Sequence, residues 1–164
     1  LEYGQSPFEH PPSFMEGKTL VLPATNGTKL LHMALDKGAE HIITGAFANL
    51  DAVCDHLVAA NKPVILACAA WKDRVNIEDT LFAGAVIHAI KSHFNINCDA
   101  SQLAETMYMD AKDDLYDFMK QKQASHYIRL TSFGLEADIR HCLSSNTAPV
   151  LPLYENGKLI KSII

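Results

Sequence analysis

The sequence lacks the features that mark membrane, secreted and nucleic-acid-binding proteins. No apolar run approaches the ~18–20 residues that span a bilayer, and the opening residues, Leu1-Glu2-Tyr3-Gly4, are neither basic nor followed by an apolar leader. Lys and Arg number 14 against 19 Asp and Glu, which gives a net charge of −5. An acidic balance argues against broad nucleic-acid binding, which needs a basic surface. We therefore expect a cytoplasmic protein that binds neither membranes nor nucleic acids.

The sequence also lacks the spacings that place cysteine and histidine around a metal. The four cysteines form no C-x-x-C pair, and we expect reduced thiols. The eight histidines show no H-E-x-x-H or H-x3-H spacing, so we interpret all of them as surface or core residues. The histidines are His10, His32, His41, His56, His88, His93, His126 and His141.

The first half of the 164-residue chain alternates apolar runs with helical periodicity. Residues 18–22, 40–44 and 62–68 are predicted strands. The intervening segments, from residue 28 to Gly38, residues 50–60 and a long segment ending near Phe94, are predicted helices. The run at 62–68 does not alternate, as expected for a strand that is covered on both faces. This order predicts one domain over residues 1–164, a three-layer α/β/α fold with a mainly parallel, mixed sheet.

The second half is predicted to be rich in helix. Residues 99–122 and 134–143 have helical periodicity, and Asp99 with Gln102 has the spacing of a capping box. Residues 148–154 are a strand candidate, which their prolines restrict to a sheet edge. Asn156-Gly157 predicts a tight turn after it.

Residues 24–28, between the first predicted strand and helix, suit an anionic ligand. Thr25, Asn26, Gly27 and Thr28 would present backbone N–H groups, hydroxyls and the positive end of a helix at one point. A phosphate or carboxylate would bind there, beyond the carboxyl end of a parallel strand. The spacing fits equally a plain helix start that is capped by Asn26 or Thr28.

The segment after the third predicted strand supports two different chemistries. Cys68 and Arg74 have the C-x5-R spacing of phosphatases in which a thiolate attacks phosphorus. No histidine precedes Cys68 and Val75 stands where a hydroxyl is usual, so a small buried thiol fits as well. Lys72 and Arg74 are either local positive charge for an anionic substrate or solvated surface residues.

Adjacent carboxylates begin the helix that follows. Glu78 and Asp79 lie in its first turn, and Mg²⁺ prefers oxygen ligands of this kind. The same pair also complements the helix dipole, with Asn76 and Asp79 at capping-box spacing. Both interpretations remain open from spacing alone.

Several segments taken in order resemble the 2-phosphosulfolactate phosphatase family. The matching segments are 4–7 (GQSP), 17–19 (GKT), 24–28 (ATNGT), 45–49 (GAFAN), 68–71 (CAAW), 78–84 (EDTLFAG) and 149–152 (PVLP), together with Arg129, Leu130, Gly134, Asp138 and Cys142. The resemblance implies a three-layer α/β/α fold and an Mg²⁺-dependent phosphatase that converts 2-phospho-3-sulfolactate to 3-sulfolactate, a step that leads to coenzyme M in some organisms.

The resemblance implies a set of roles for the candidate residues. Thr25, Asn26 and Cys68 are catalytic candidates, and Glu78 and Asp79 are the metal ligands. Gly27, Thr28, Asn49, Lys72 and Arg74 bind the substrate. We expect water rather than Cys68 to be the nucleophile. A cysteine phosphatase that uses Cys68 and Arg74, and an anion-binding fragment without catalysis, are the alternatives.

The chain departs from the family pattern at both ends of the candidate site. Ala24 stands where the family usually has Thr, and Ala70 and Asp73 stand where it usually has Gly. The resemblance further implies that the chain lacks the family's N-terminal region, with an acidic ligand, an Arg and strands of the sheet. An exposed sheet edge would favour a homo-oligomer.

Overall fold

Helix α4 (Ile77–Ile90) lies at the centre of the protein in a computed structural model that describes residues 4–21 and 24–161. Its sequence, IEDTLFAGAVIHAI, is apolar on nearly every side after the first turn. A helix of that kind is stable only when other elements cover it all round. Leu81 and Val86 are accordingly completely buried.

The other elements surround α4. The remaining helices are α1 (Pro12–Met15), α2 (Thr25–Asp36), α3 (Leu50–Ala60), α5 (Asp99–Ala111), α6 (Leu115–Gln121), α7 (Ser125–Thr131) and α8 (Glu136–Leu143), with 3-10 turns at Pro7–Glu9 and Phe47–Asn49. One core cluster joins α4 to α5, α6 and the start of α7, and a second joins α4 to α3 and Leu151.

Small residues allow α5 to approach α4 closely. A Cβ atom on Gly84 would lie 2.1 Å from the carbonyl oxygen of Ala104. Near the same interface, the Glu105 carboxylate accepts a 2.6 Å hydrogen bond from Lys91 Nζ and lies 3.2 Å from His88 Nδ1. The C-terminal half of α4 is therefore fixed to α5 by backbone contact and by an ion pair.

The sheet consists of two short antiparallel strands, β1 (Pro152–Glu155) and β2 (Lys158–Lys161). Asn156 and Gly157 connect them with positive φ at both positions, which confirms the predicted tight turn. Ile43 forms an isolated antiparallel bridge to Leu153 beside β1. The predicted strand at residues 148–154 is thus formed over its last part, from Pro152. It does not lie at an edge as predicted, because β2 pairs with one side of it and the backbone of residues 42–44 hydrogen-bonds to the other.

The predicted parallel strands are not formed in the described part of the chain. Residues 62–68 form no strand: Val64 and Leu66 pack toward the core, whereas Ile65 is 92% exposed. No neighbouring chain segment in the described ranges pairs with their backbone, and a ladder needs such a partner. The same holds for residues 18–21, and Leu22 lies outside the described residues. The observed architecture is mixed α/β, rich in helix, with one small antiparallel sheet.

The helix predictions hold better than the strand predictions. Residues 50–60 form α3 as predicted, and Leu135, Ile139 and Leu143 face inward at α8. The predicted helix 99–122 is wrong as a single element. It ends at Ala111, and Asp114 begins α6 by accepting a 2.8 Å hydrogen bond from the backbone N–H of Asp117. The N-cap of α5 is Cys98 rather than Asp99.

No helix in the described part of the chain is both long enough and apolar enough to cross a membrane.

Candidate functional site

Helix α2 begins with backbone N–H groups that no side chain caps. It starts at Thr25, three residues earlier than predicted, so residues 25–28 form its first turn rather than a loop. Ala24 is the N-cap and has no side-chain acceptor, and the Thr28 hydroxyl donates backward to the Ala24 carbonyl. Space around the Gly27 Cα is open. The first N–H groups of α2 are therefore available to an anion.

A tight turn precedes α4. The backbones of Trp71 and Arg74 exchange two 3.0 Å hydrogen bonds, and Lys72 and Asp73 between them have φ of 54° and 57°. Ala70 also has a positive φ, 62°. Residues other than glycine rarely adopt this conformation, and such strain concentrates at functional sites. The turn projects Lys72 and Arg74 into solvent.

The first turn of α4 holds that loop in place. The buried Asn76 side chain accepts a 3.1 Å hydrogen bond from the backbone N–H of Asp79 and so caps the helix. The carboxylate of Asp79 in turn accepts a 3.0 Å hydrogen bond from the backbone N–H of Ala70. One oxygen of Asp79 therefore stabilises the strained loop, and the cap of α4 comes from the side chain of Asn76.

An ion pair connects the loop to α2. Lys29 Nζ lies 2.5 Å from Asp73 Oδ1, and both side chains are mostly exposed. The pair brings the N-terminal turn of α2 and the turn at residues 71–74 to the same part of the surface. The candidate segments at residues 24–28 and 68–79 are therefore linked through this ion pair.

Glu78 differs from Asp79 in its surroundings. Both of its carboxylate oxygens are shielded from solvent, and neither accepts a hydrogen bond. Among the described residues, the polar group in contact with them is the imidazole of His126, whose Nδ1 atom lies against Oε1. A shielded carboxylate without donors is costly, and a cation relieves that cost. Glu78 is therefore the natural position for a positive ligand.

An aromatic and basic wall surrounds His126. The ring of Trp71 lies 5.3 Å from the imidazole, and the same indole has Lys72 Nζ at 4.4 Å and Arg129 Cζ at 5.8 Å. Burial, and then the nearby Arg129 charge, lower the pKa of His126.

Cys68 lacks the environment of a reactive thiolate. Cys68 is exposed, so the alternative of a buried thiol is wrong. Partial desolvation of its sulfur, and then the Asp79 carboxylate, nevertheless raise the pKa of Cys68. Within residues 4–21 and 24–161, no hydrogen bond joins Cys68 to Arg74. A nucleophilic cysteine requires the opposite shift, toward the thiolate.

Comparison with known proteins identifies the family. The model of the family described as 2-phosphosulpholactate phosphatase matches residues 1–157. The chain belongs to the 2-phosphosulfolactate phosphatase family. This confirms the resemblance seen in the sequence motifs.

Individual relatives carry the same family name. The chain is 34% identical over 160 residues to a probable 2-phosphosulfolactate phosphatase of Thermotoga petrophila, covering 98% of this chain and 67% of that one. A probable 2-phosphosulfolactate phosphatase of Caldanaerobacter subterraneus subsp. tengcongensis is 31% identical over 158 residues, 96% of this chain and 64% of the relative. The chain thus spans about two thirds of the length of these curated relatives.

In this phosphatase-family chain, one predicted substrate-binding residue is already engaged by backbone groups. The amide of Asn49 is buried, accepts a 2.8 Å hydrogen bond from the Ala46 N–H, and donates to the carbonyls of Thr44 and Val150 at 3.2 and 2.9 Å. These bonds join the loop at residues 44–49 to the segment before β1. Substrate binding by Asn49 stays a prediction, and the observed contacts give it a structural role.

The sequence patterns do not identify two residues of this candidate site, His126 and Arg129. The spacing of the histidines predicts a surface or core role for His126, and Arg129 appears only as part of a family motif. Both lie on α7, far from Glu78 along the chain, and no spacing rule links a histidine to a carboxylate at such a distance. The predicted residues Thr25, Asn26, Gly27 and Thr28 lie at the α2 end of the site, and Lys72, Arg74, Glu78 and Asp79 at the loop end.

The carboxylates that are present fit Mg²⁺ on chemical grounds. Among the described residues, no three His, Cys, Asp or Glu side chains are grouped to hold a metal ion. Mg²⁺ does not need such a cage, because it is often held by one or two carboxylates with waters and substrate phosphate. The unpartnered oxygens of Glu78, with the second oxygen of Asp79, match that pattern.

A separate groove lies at the other end of α4. It has a volume of about 410 Å³, between α3 and the end of α4, and is lined by Asp51, Cys54, Asp55, Val58, Ala59, Ala89, Ile90 and His93. Burial, and then the Asp51 and Asp55 charges, raise the pKa of Cys54 to about 11. None of the predicted site residues lines this groove.

Proposed function

We propose that this chain carries the phosphate-binding and metal-binding part of a phosphatase that converts 2-phospho-3-sulfolactate to 3-sulfolactate and phosphate. One observation carries the proposal. In a member of this family, the uncapped N-terminus of α2 is held against the basic turn at residues 71–74 by the Lys29–Asp73 ion pair. Together they offer N–H donors and cations, the groups that bind a phosphate monoester.

The residues have distinct roles in this proposal. The first N–H groups of α2, including that of Thr28, and the Thr25 side chain hold the phosphoryl oxygens, and Asn26 orients the phosphoryl group. Thr28 acts through its backbone N–H because its hydroxyl donates to the Ala24 carbonyl. Lys72 and Arg74 balance the negative charges of the substrate's carboxylate and sulfonate. A protein of net charge −5 must concentrate positive charge locally to bind such a substrate. Glu78 and Asp79 hold Mg²⁺, which when bound neutralises charge on the phosphoryl oxygens.

Water is the proposed nucleophile. The raised pKa of Cys68 keeps its thiol protonated at neutral pH, and a thiol is a poor nucleophile. The loop around Ala70 then serves to place the phosphoryl group, with Asp79 holding the loop's backbone in position. A cysteine mechanism makes a different prediction, because it does not require a metal.

Phosphate release is the direct test. Inorganic phosphate is measured from racemic 2-phospho-3-sulfolactate with Mg²⁺ and with EDTA, on this chain and on the longer Thermotoga maritima relative, which is named probable 2-phosphosulfolactate phosphatase. We expect Mg²⁺-dependent release from both. Release from this chain that survives EDTA would favour Cys68. If only the relative releases phosphate and this chain binds phosphate without turnover, this chain is an anion-binding domain.

We also propose the three-layer α/β/α architecture in which residues 62–68 pair as a sheet strand. The alternation of half-buried Val64 and Leu66 with exposed Ile65 supports it, since one face already packs on the core. Amide hydrogen exchange of the protein in solution tests this, because a paired strand protects the amides of residues 64–67. Self-association through the same edge would appear as a concentration-dependent mass in sedimentation.

A further inference from the structure

Helix α7 supplies a residue to the α4 end of the site, although no motif in the sequence marks it. His126 lies in the first turn of α7, and its Nδ1 atom contacts Oε1 of Glu78. Both side chains are mostly buried, at 21% and 23% exposed. The contact joins two elements that are remote in sequence, directly at the carboxylate proposed to hold the cation.

The surroundings fix the orientation of the imidazole. Trp71 packs against one side of the ring at 5.3 Å between centroids. A ring held by an aromatic neighbour and directed at a carboxylate oxygen has little freedom to turn. The geometry favours the tautomer with hydrogen on Nδ1, because that nitrogen faces an oxygen which has no other donor.

We infer that His126 is a positioning residue that holds the Glu78 carboxylate in place to bind a divalent cation. A donor directed at Oε1 restrains the rotation of the carboxylate and leaves Oε2, which no group contacts by a hydrogen bond in the described chain, to face the ion. Partners of this kind orient metal ligands and contribute 10–100-fold (roughly) to metal affinity. The inference rests on the proposed function, in which Glu78 is the ligand.

A second His–Glu pair in the same molecule provides the matched control. His88 Nδ1 lies 3.2 Å from Glu105 Oε1, but that carboxylate also accepts a hydrogen bond from Lys91. It already has a cation and lies at the opposite half of α4. A variant at His88 changes a histidine beside a glutamate without touching the site.

Direct metal binding tests the inference without using turnover. Mn²⁺, a probe for Mg²⁺, is titrated into wild type, His126→Leu, His126→Asn and His88→Leu, and the free ion is followed by EPR. We expect His126→Leu to weaken binding by about 10–100-fold. His126→Asn keeps an N–H donor near the Nδ1 position and should restore most of that loss, and His88→Leu should leave the affinity unchanged.

Wild-type protein alone provides a second readout if His126→Leu does not fold. Imidazole resonances of His126 should broaden more strongly than those of His88 on addition of Mn²⁺, because His88 lies near the other end of α4. Equal affinity in wild type and His126→Leu, or equal broadening at both histidines, would overturn the inference while leaving the phosphatase proposal intact. Absence of Mn²⁺ binding in wild type, with phosphate release that persists in EDTA, would also overturn it. If wild-type protein binds Mn²⁺ as expected but neither it nor the longer relative releases phosphate, the result would instead contradict the proposed function.

Discussion

Helix α4 has a histidine–glutamate pair at each of its two ends, and the two pairs differ in what surrounds the carboxylate. At the C-terminal end, Glu105 receives a hydrogen bond from Lys91 in addition to the contact with His88. At the N-terminal end, His126 is the polar group in contact with Glu78, and no other donor reaches either carboxylate oxygen in the described chain. The first pair is electrostatically complete and the second is not.

That difference separates a structural contact from a ligand site. The hydrogen bonds from Lys91 and then from His88 lower the pKa of Glu105, which is the usual result for a satisfied surface carboxylate. A cation at Glu105 would have to displace an ammonium group. A cation at Glu78 would displace nothing, and it would relieve the burial of an unpartnered charge. The N-terminal end of α4 is therefore the better candidate for a cation site, because Glu78 has no positively charged lysine partner such as Glu105 has.

Removing each carboxylate charge should give the largest contrast. Glu78→Gln should lower Mg²⁺-dependent phosphate release by about 100-fold or more, because a neutral amide is a poor ligand for Mg²⁺. Glu105→Gln should keep kcat/KM within about twofold and affect only the α4–α5 contact, by at most about 1 kcal/mol. Steady-state kinetics and urea unfolding of both variants measure these effects. Equal loss of activity in the two would remove Glu78 from the site.

Adding a methyl group at two glycines should separate stability from binding. Gly84→Ala places a Cβ 2.1 Å from the Ala104 carbonyl, so α5 must move away from α4, at a cost of about 1–3 kcal/mol. Gly27→Ala meets nothing within 4 Å and should change the free energy of unfolding by less than about 1 kcal/mol. It should instead raise KM, since the methyl group lies at the proposed phosphate position.

Urea denaturation with phosphate-release kinetics on both variants checks the separation. A Gly27→Ala protein with unchanged KM would argue that the substrate does not approach the first turn of α2. A Gly84→Ala protein of wild-type stability would mean that the α4–α5 interface repacks freely.

The sequence predicts the helices well because their signals are local. The periodicity of residues 50–60 and the Asn76 cap of α4 depend on neighbours within four positions along the chain. The strand at residues 62–68 depends on a partner strand at hydrogen-bonding distance, which no local pattern supplies. Its apolar run is therefore observed as an unpaired segment with Ile65 exposed in the described chain.

The candidate site shows the same division. Glu78, Asp79 and the first turn of α2 lie beside helix starts, and residue types at helix starts are visible in a sequence. His126 reaches Glu78 only because α7 folds back over the start of α4. A histidine in the first turn of a short helix looks the same whether it faces solvent or a carboxylate, so its role required the tertiary structure.

The cysteines of the candidate site and of the rest of the molecule should also differ in reactivity. Backbone N–H groups of Ser101 and Ala100 at the start of α5 lower the pKa of the exposed Cys98, whereas burial raises the pKa of Cys68 and, to about 11, of Cys54. A lower pKa gives more thiolate at a given pH. At pH 7.5 iodoacetamide should therefore modify Cys98 first, Cys68 more slowly and Cys54 last.

Peptide mass spectrometry over a time course gives the three rates. Between pH 7 and 8 the modification rates at Cys68 and Cys54 should rise about tenfold, since this pH range lies below the pKa of both thiols. The rate at Cys98 should rise less, because its pKa is lowered. Modification of Cys68 as fast as that of Cys98 would contradict the proposal that water is the nucleophile and would support the cysteine mechanism.

The smallest expected effects come from the two lysines that pair with carboxylates at opposite ends. Lys29 and Asp73 are 63% and 82% exposed, so their pair contributes little to stability, about 0–1 kcal/mol or less. Lys29→Met should leave Tm unchanged, because salt already screens this exposed pair. It should raise KM about two- to fivefold, because the pair positions α2 against the basic turn.

Lys91→Met removes the less exposed lysine, which pairs with Glu105, and should lower Tm by about 2–4 °C without changing KM. Raising the salt concentration should raise KM in both wild type and Lys29→Met, because salt also screens the exposed Lys72 and Arg74, and the difference in KM between them should shrink as the Lys29–Asp73 pair is screened. A Tm change in Lys29→Met as large as that in Lys91→Met would show that both ion pairs brace the fold, and the distinction between the two ends of α4 would then rest on Glu78 alone.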